Sequence, residues 1–195
     1  MTQVEKVSHW IEIFGEKITE NKERLNELDT AIGDGDHGSN LTRGAAAVKE
    51  KAAEDDYENL SDLFKDVGMT LVSKVGGASG PLYGSAFIGM AKKAKETEDI
   101  SDILAAGLEG IQKRGKAQTG EKTMVDEWVP VLEKIKDGSL TESDIDDALQ
   151  STKDMKATKG RASYLGDRSI GHIDPGAQSS AYLFEALLEA GVLDE

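Results

Sequence analysis

Asp29, Asp34 and Asp36 place three carboxylates within eight positions, two of them flanking Gly35 in the run Gly33-Asp34-Gly35-Asp36-His37-Gly38-Ser39-Asn40. Like charges this close repel, and carrying them protonated at neutral pH is costly, so the spacing asks for a cation. Carboxylate oxygens are hard donors, which select Mg²⁺, Mn²⁺ or Ca²⁺ over zinc. A helix–loop–helix calcium hand fails on position. A loop starting at Asp34 puts Ala45 twelfth, and one starting at Asp29 puts Asn40 there, so neither supplies the bidentate glutamate. An Asp/Gly-rich turn that only caps helices would need no metal, but three Asp, three Gly and a His in ten residues exceed what capping demands.

Magnesium keeps few protein ligands and takes the rest from water and substrate phosphates. Helix entries rich in glycine offer those phosphates free backbone N–H groups. Gly38-Ser39-Asn40 leads into a helix, and so does Gly76-Gly77-Ala78-Ser79-Gly80. Two anion-binding helix starts beside a carboxylate cluster point to a metal–nucleotide site, with the metal between the carboxylates and the phosphates. The stretch from Gly115 through Gly120 to Thr123 nearly spells a P-loop. However, Glu121 stands where the lysine should follow the glycine, displacing it to Lys122, and no strand precedes it. It is rejected as a P-loop, although Gly115 can still let backbone approach a ligand.

The segment from Gly160 to Gly176 is the longest interruption, and with Lys159 it gathers three cations in an acidic chain. Long loops within compact domains are often ligand-binding segments. Arg161 and Arg168 can clamp phosphates or stabilise charge in phosphoryl transfer, or can pair with surface acids. His172 is expected to make a structural hydrogen bond rather than a covalent intermediate. His9, beside Trp10, is read as structural.

The elements that must position these groups are helical nearly throughout. Val4, Val7, Ile11, Phe14 and Ile18 recur at spacings of three and four, as do Leu60, Leu63, Val67 and Leu71. Val125, Trp128, Leu132 and Ile135 repeat the stripe, and so do Ala177, Ala181, Phe184 and Leu188. Breaks fall at Gly33–Gly38, Gly76–Gly80, Gly115–Gly120 and Gly160–Gly176. Pro81 is expected at a first helical position, Pro130 at a kink or boundary, and Ser39, Asn59, Ser101 and Ser143 as caps. Counting segments gives about eight helices. The expectation is one all-α domain over residues 1–195.

Composition narrows the function classes. The 195 residues carry 23 Lys and Arg against 37 Asp and Glu, a net charge of −14. That excess argues against a nucleic-acid or anionic-membrane partner, whose binding relies on basic surface. The runs Glu54–Glu58 and Asp144–Asp147 read as solvated faces or caps. Cysteine is absent, which removes disulfides, thiolate metal sites and Cys nucleophiles together. The first ten residues lack a basic leader with an apolar run, and no stretch has the ~18 apolar residues of a membrane span. A cytoplasmic location is expected.

Taken together, Gly33-Asp34-Gly35-Asp36-His37-Gly38, Gly76-Gly77-Ala78-Ser79-Gly80-Pro81, Arg114-Gly115-Lys116, Gly120 to Met124 and the Gly160–Gly176 loop resemble one family. It is the nucleotide-binding L subunit of the phosphotransferase-dependent dihydroxyacetone kinases. The resemblance runs from Asp29 to the last helix, with the motifs in the family's order. It implies a barrel of about eight antiparallel helices with the nucleotide among the loops at one end. It also implies that Asp29, Asp34 and Asp36 hold two Mg²⁺ bridging to the phosphates. His37, Gly38, Ser39, Asn40, Ala78 and Ser79 would contact the nucleotide, and Gly115, Met124, Arg161, Asp174, Pro175 and Gly176 would complete its pocket. Met124 would be core without the resemblance; with it, a flexible thioether suits an adenine face.

In such proteins tightly bound ADP accepts a phosphoryl group from a phosphohistidine on a separate M subunit. The resulting ATP phosphorylates dihydroxyacetone held covalently on a K subunit. The chain would then need no nucleophile, and Arg161 becomes the candidate for charge stabilisation as well as binding. A chain of 195 residues with its own Met1 looks like the stand-alone subunit rather than the longer ATP-dependent kinases that fuse this domain behind a K-like one. Two alternatives remain at this point: a nucleotide-loaded module that binds a transcriptional regulator, and a stand-alone Mg²⁺-dependent phosphohydrolase.

Overall fold

The computed structural model describes residues 1–194 as α1 (Gln3–Glu20), α2 (Lys22–Ile32), α3 (His37–Ala52), α4 (Leu60–Lys74), α5 (Ser79–Lys93), α6 (Ile100–Gly115), α7 (Val125–Lys136), α8 (Glu142–Ser151) and α9 (Pro175–Glu189). One 3-10 segment, Arg161–Ser169, lies between α8 and α9, and no strand occurs among the described residues.

The extra helix relative to the expected eight comes from a break at Asn21, where the run from Val4 to Ile32 divides. No glycine or proline marks that point. Asn21 ends α1 by donating its side-chain Nδ2–H to the Lys17 carbonyl at 2.8 Å, and α2 begins at the next residue. Thr2 starts α1 with a reciprocal capping box to Glu5, and Asn59 caps α4 as expected by accepting the Asp62 N–H. Ser101 and Ser143 lie inside their helices instead, because Asp99 and Thr141 take the caps two residues earlier. Ser39 is likewise inside α3, which opens at Asp36. Pro81 is the third residue of α5 rather than the first. Pro130 neither ends nor starts α7: it sits in the sixth position, where it deprives only the Asp126 carbonyl of an N–H partner.

Helix contacts run in a closed circuit from α1 through α3, α4, α5, α6, α7 and α8 to α9, and back to α1, with α2 seated on α3 and α9. Such closure is what the expected barrel requires. The apolar stripes face one continuous core. Trp10 lies with its ring centroid 6.4 Å from both Phe64 and Phe87, and Trp128 meets Phe184 edge-on at 5.1 Å. The Trp10 indole N–H donates to the Leu183 carbonyl at 2.8 Å and so bonds α1 to α9 across the closure. Lys6 Nζ donates to the Asp194 carbonyl and Gln3 to the Val192 carbonyl, tying the two ends of the described chain together. No helix among the described residues is long and apolar enough to cross a membrane.

One core residue breaks the apolar pattern. Glu127, in the first turn of α7, is fully buried, and neither carboxyl oxygen has a hydrogen-bond partner among the described residues. Burial, reinforced by the charges of Glu185 and Asp146, pushes its pKa up to about 9. The native state therefore keeps a proton that the unfolded chain releases above its ordinary value of 4.5. This group's contribution favours folding at low pH and is lost as pH rises from 4.5 to about 9. Glu127→Gln, which carries no titrating proton, is expected to show a shallower fall in thermal midpoint across that window; an unchanged slope would contradict the assignment.

Candidate functional site

The α2–α3 corner is built around one carboxylate. Asp29, on the last turn of α2, accepts the backbone N–H groups of Asp36 and His37 with the same oxygen, Oδ2, at 2.9 and 3.0 Å. That bond pair folds residues 33–36 back over the helix end. It requires glycine at 33, because a Cβ there would lie 2.2 Å from Asp29 Oδ1. It also requires glycine at 35, where φ is +78°. Burial raises the Asp29 pKa, the two N–H donors oppose the rise, and the Asp36 and Asp34 charges add to it. Asp34 turns outward and pairs with Arg161, its Oδ1 2.7 Å from the guanidinium Nη1. Arg161 is largely exposed, so this pair contributes at most about 1 kcal/mol.

Asp29, Asp34 and Asp36 all line one cavity of about 580 Å³. Its other walls come from Asn40 and His37 of α3, Ala78 and Ser79 at the start of α5, Gly115 at the end of α6, Met124 before α7, Arg161, and Asp174, Pro175 and Gly176 at the start of α9. The expected site residues therefore converge from six separate stretches of chain. Two do not. Gly38 and Ser39 are absent from the cavity wall and face α2 instead. A Cβ at Gly38 would sit 2.1 Å from the Lys22 carbonyl oxygen, and Ser39 exchanges two 3.0 Å hydrogen bonds with the Asn26 side chain. These residues dock the first turn of α3 on α2. Arg168 lies outside the cavity as well, and the ring of His172 is exposed.

The α5 entry suits an anion. Ala78 at its N-cap provides no capping side chain, so the N–H groups of Ser79 and Gly80 open the helix without one. Glycine at 80 is needed because a Cβ would lie 2.3 Å from the Val75 carbonyl oxygen. Elsewhere in the cavity wall Met124, buried, stands against Gly176, where a Cβ would be 3.5 Å from its methyl. Asp174 caps α9 by accepting the Ala177 N–H at 2.8 Å, and burial pushes its pKa up to about 7.

His37 is held from behind. Its ring Nε2 lies 2.9 Å from Ser179 Oγ, which is 2.6 Å from the Tyr83 hydroxyl; Tyr83 in turn meets Ser180, which accepts the Trp128 indole N–H at 3.0 Å. Burial lowers the His37 pKa to about 4, so the ring is neutral at physiological pH. Sequence reasoning missed this chain, since Tyr83, Ser179 and Ser180 belong to no loop motif. It also gave no role to Lys122, which the cavity wall includes. The rejection of the P-loop stands: α6 precedes that stretch, and Lys122 Nζ is directed at carbonyl oxygens.

All three aspartates offer hard oxygens to the same space, which fits Mg²⁺ in donor chemistry. Among the described residues, no three acidic or histidine side chains converge into a ready-made cage. Magnesium on a nucleotide suits such an open set, because phosphates and water complete its octahedron.

The DAK2 domain family matches residues 31–189. The ADP-binding subunit DhaL of the PTS-dependent dihydroxyacetone kinase of Lactococcus lactis is 56% identical over 189 residues, covering 97% of this chain and 98% of that one. The ADP-binding subunit DhaL of PEP-dependent dihydroxyacetone kinase 1 of Listeria innocua is 55% identical, covering 94% of each. Among solved structures, the dihydroxyacetone kinase of C. freundii in complex with AMP-PNP and Mg²⁺ superposes with a TM-score of 0.76 at 28% identity, over 92% of this chain and 33% of that one.

Docking of Gly38 on α2 can be checked directly. Gly38→Ala must displace backbone, and is expected to cost about 1–3 kcal/mol of stability by overpacking. Chemical denaturation measures it; a neutral substitution would return Gly38 to the list of ligand contacts.

Proposed function

We propose a function on the premise that the chain belongs to the DAK2 domain family: it is the ADP-carrying subunit of a phosphoenolpyruvate-dependent dihydroxyacetone kinase. The observation that carries the reading is the convergence of three aspartates and the uncapped α5 entry on one cavity, in a chain that matches named ADP-binding subunits along nearly their whole length. The match to the C. freundii kinase spans 92% of this chain and 33% of that one. Neither a regulatory module nor a phosphohydrolase gains support from the relatives.

Asp29, Asp34 and Asp36 would hold Mg²⁺, which when bound neutralises phosphate charge during phosphoryl transfer. Asp29 uses one oxygen to shape the corner and keeps the other free of the two N–H donors. Ser79 orients phosphate oxygens through its backbone N–H at the helix entry, while Met124 and Gly176 provide an apolar wall for the base. Neutral His37, fixed by Ser179, places no positive charge of its own in the site. Arg161, at the edge beside Asp34, is positioned to stabilise charge developing on a transferred phosphoryl group. Its exposure leaves it reachable by a docked partner. The partners of this reading are a phosphohistidine-carrying M subunit and a dihydroxyacetone-holding K subunit, in the cytoplasm.

Two measurements test this. Asp34→Ala and Asp36→Ala are each expected to weaken ADP retention by about tenfold or more, the order that loss of even an outer metal partner costs; nucleotide content after gel filtration in Mg²⁺ reads it. In a mixture with K and M subunits, phosphoenolpyruvate rather than free ATP should drive dihydroxyacetone phosphorylation. Retention unchanged in both variants, or turnover on ATP alone, would overturn the reading.

A further inference from the structure

Lys122 lies in the connection between α6 and α7 at φ +62°, in the left-handed region where a non-glycine residue is strained. Its side chain is 1% exposed. A lysine buried so deeply must be paired or fully hydrogen-bonded, and no carboxylate forms an ion pair with it among the described residues. The ammonium instead donates to three backbone carbonyls: Thr152 at 2.5 Å, Lys153 at 3.3 Å, and His172. An ammonium has three donors, so none is left for a phosphate. This lysine therefore faces away from the role its counterpart plays in a P-loop.

The three carbonyls belong to two stretches, the end of α8 and the approach to α9. Around them the same seam is stitched again. Thr158 N–H donates to the Glu121 carbonyl at 3.3 Å, Gly171 N–H to the Lys153 carbonyl at 2.7 Å, and Asp174 N–H to Thr152 Oγ at 3.1 Å. On its own side Lys122 is held by Asp126, whose carboxylate accepts the N–H groups of Gly120 and Thr123 at 2.6 and 3.0 Å. Lys122 thus joins the wall that carries Met124 to the wall that carries Asp174, and the segment it closes includes Arg161.

We propose that Lys122 is a positioning residue, a clasp that holds residues 152–174 against the α6–α7 connection and thereby sets how long the nucleotide stays in the cavity. It rests on the nucleotide-binding reading above. Burial lowers the pKa of Lys122, and the Asp174, Asp154 and Asp126 charges oppose that shift.

The test uses the full chain loaded with ADP and Mg²⁺. Lys122→Met keeps the length of the side chain and removes its donors. Release of labelled ADP into excess unlabelled ADP is expected to accelerate by about tenfold or more, since three buried carbonyls lose their donor. Backbone hydrogen exchange over 158–173 should rise with it, and Lys122→Arg should restore part of both. Release at the wild-type rate overturns the proposal, including when the thermal midpoint falls, because the lysine then serves stability alone. A wild-type chain that retains no ADP would refute the functional reading, while the exchange comparison would still decide the clasp. Should Lys122→Met not fold, Lys122→Gln takes its place with the same outcomes.

Discussion

One carboxylate oxygen organises the functional end of this molecule. By accepting two successive backbone N–H groups, Asp29 forces the chain leaving α2 to turn within four residues and enter α3. The turn brings Asp34 and Asp36 to the same cavity as Asp29. The crowding of negative charge there opposes the ionised form of Asp29, and only burial adds more. A divalent ion shared with phosphates, as proposed, would relieve that repulsion, so the geometry that is unfavourable in the protein alone would favour the loaded protein.

The helical ring matters because it lets remote stretches meet. The cavity draws on the starts of α3, α5 and α9 and the ends of α2 and α6, which closure brings to one place. Its rear is polar as well: the chain from His37 through Ser179, Tyr83 and Ser180 to Trp128 crosses the core with successive groups hydrogen-bonded. A buried network of this kind specifies one arrangement of the four helices α3, α5, α7 and α9 more sharply than apolar packing alone.

Much of this was legible in the sequence. The apolar stripes gave the helices, and the Asp/Gly run gave the corner, because both signals are local. The division at Asn21 escaped notice since a side-chain amide can end a helix without the glycine or proline that announces most ends. Ser101 and Ser143 were outcompeted by Asp99 and Thr141, a choice set by register rather than residue type. The Gly160–Gly176 loop hid a 3-10 segment, too short and too polar to show periodicity. The family resemblance supplied Ala78, Met124 and Asp174 as site residues, which composition did not single out, and the cavity contains them. It also supplied Gly38 and Ser39, whose neighbours are on α2. Lys122 was invisible for another reason: its partners are carbonyl oxygens, which every residue possesses and no sequence displays.

The bonds from Lys6 to Asp194 and from Gln3 to Val192 have a consequence for topology. At that seam the circuit of helices is closed by side-chain-to-carbonyl bonds between α1 and the segment after α9, without a covalent link among the described residues. A flexible linker across that seam would make the backbone cyclic. The chain could then be cut at the exposed Gly138 turn between α7 and α8, giving new termini while every helix keeps its neighbours. In this architecture the order of helices around the ring, rather than the point where the polypeptide starts, is what holds the site together.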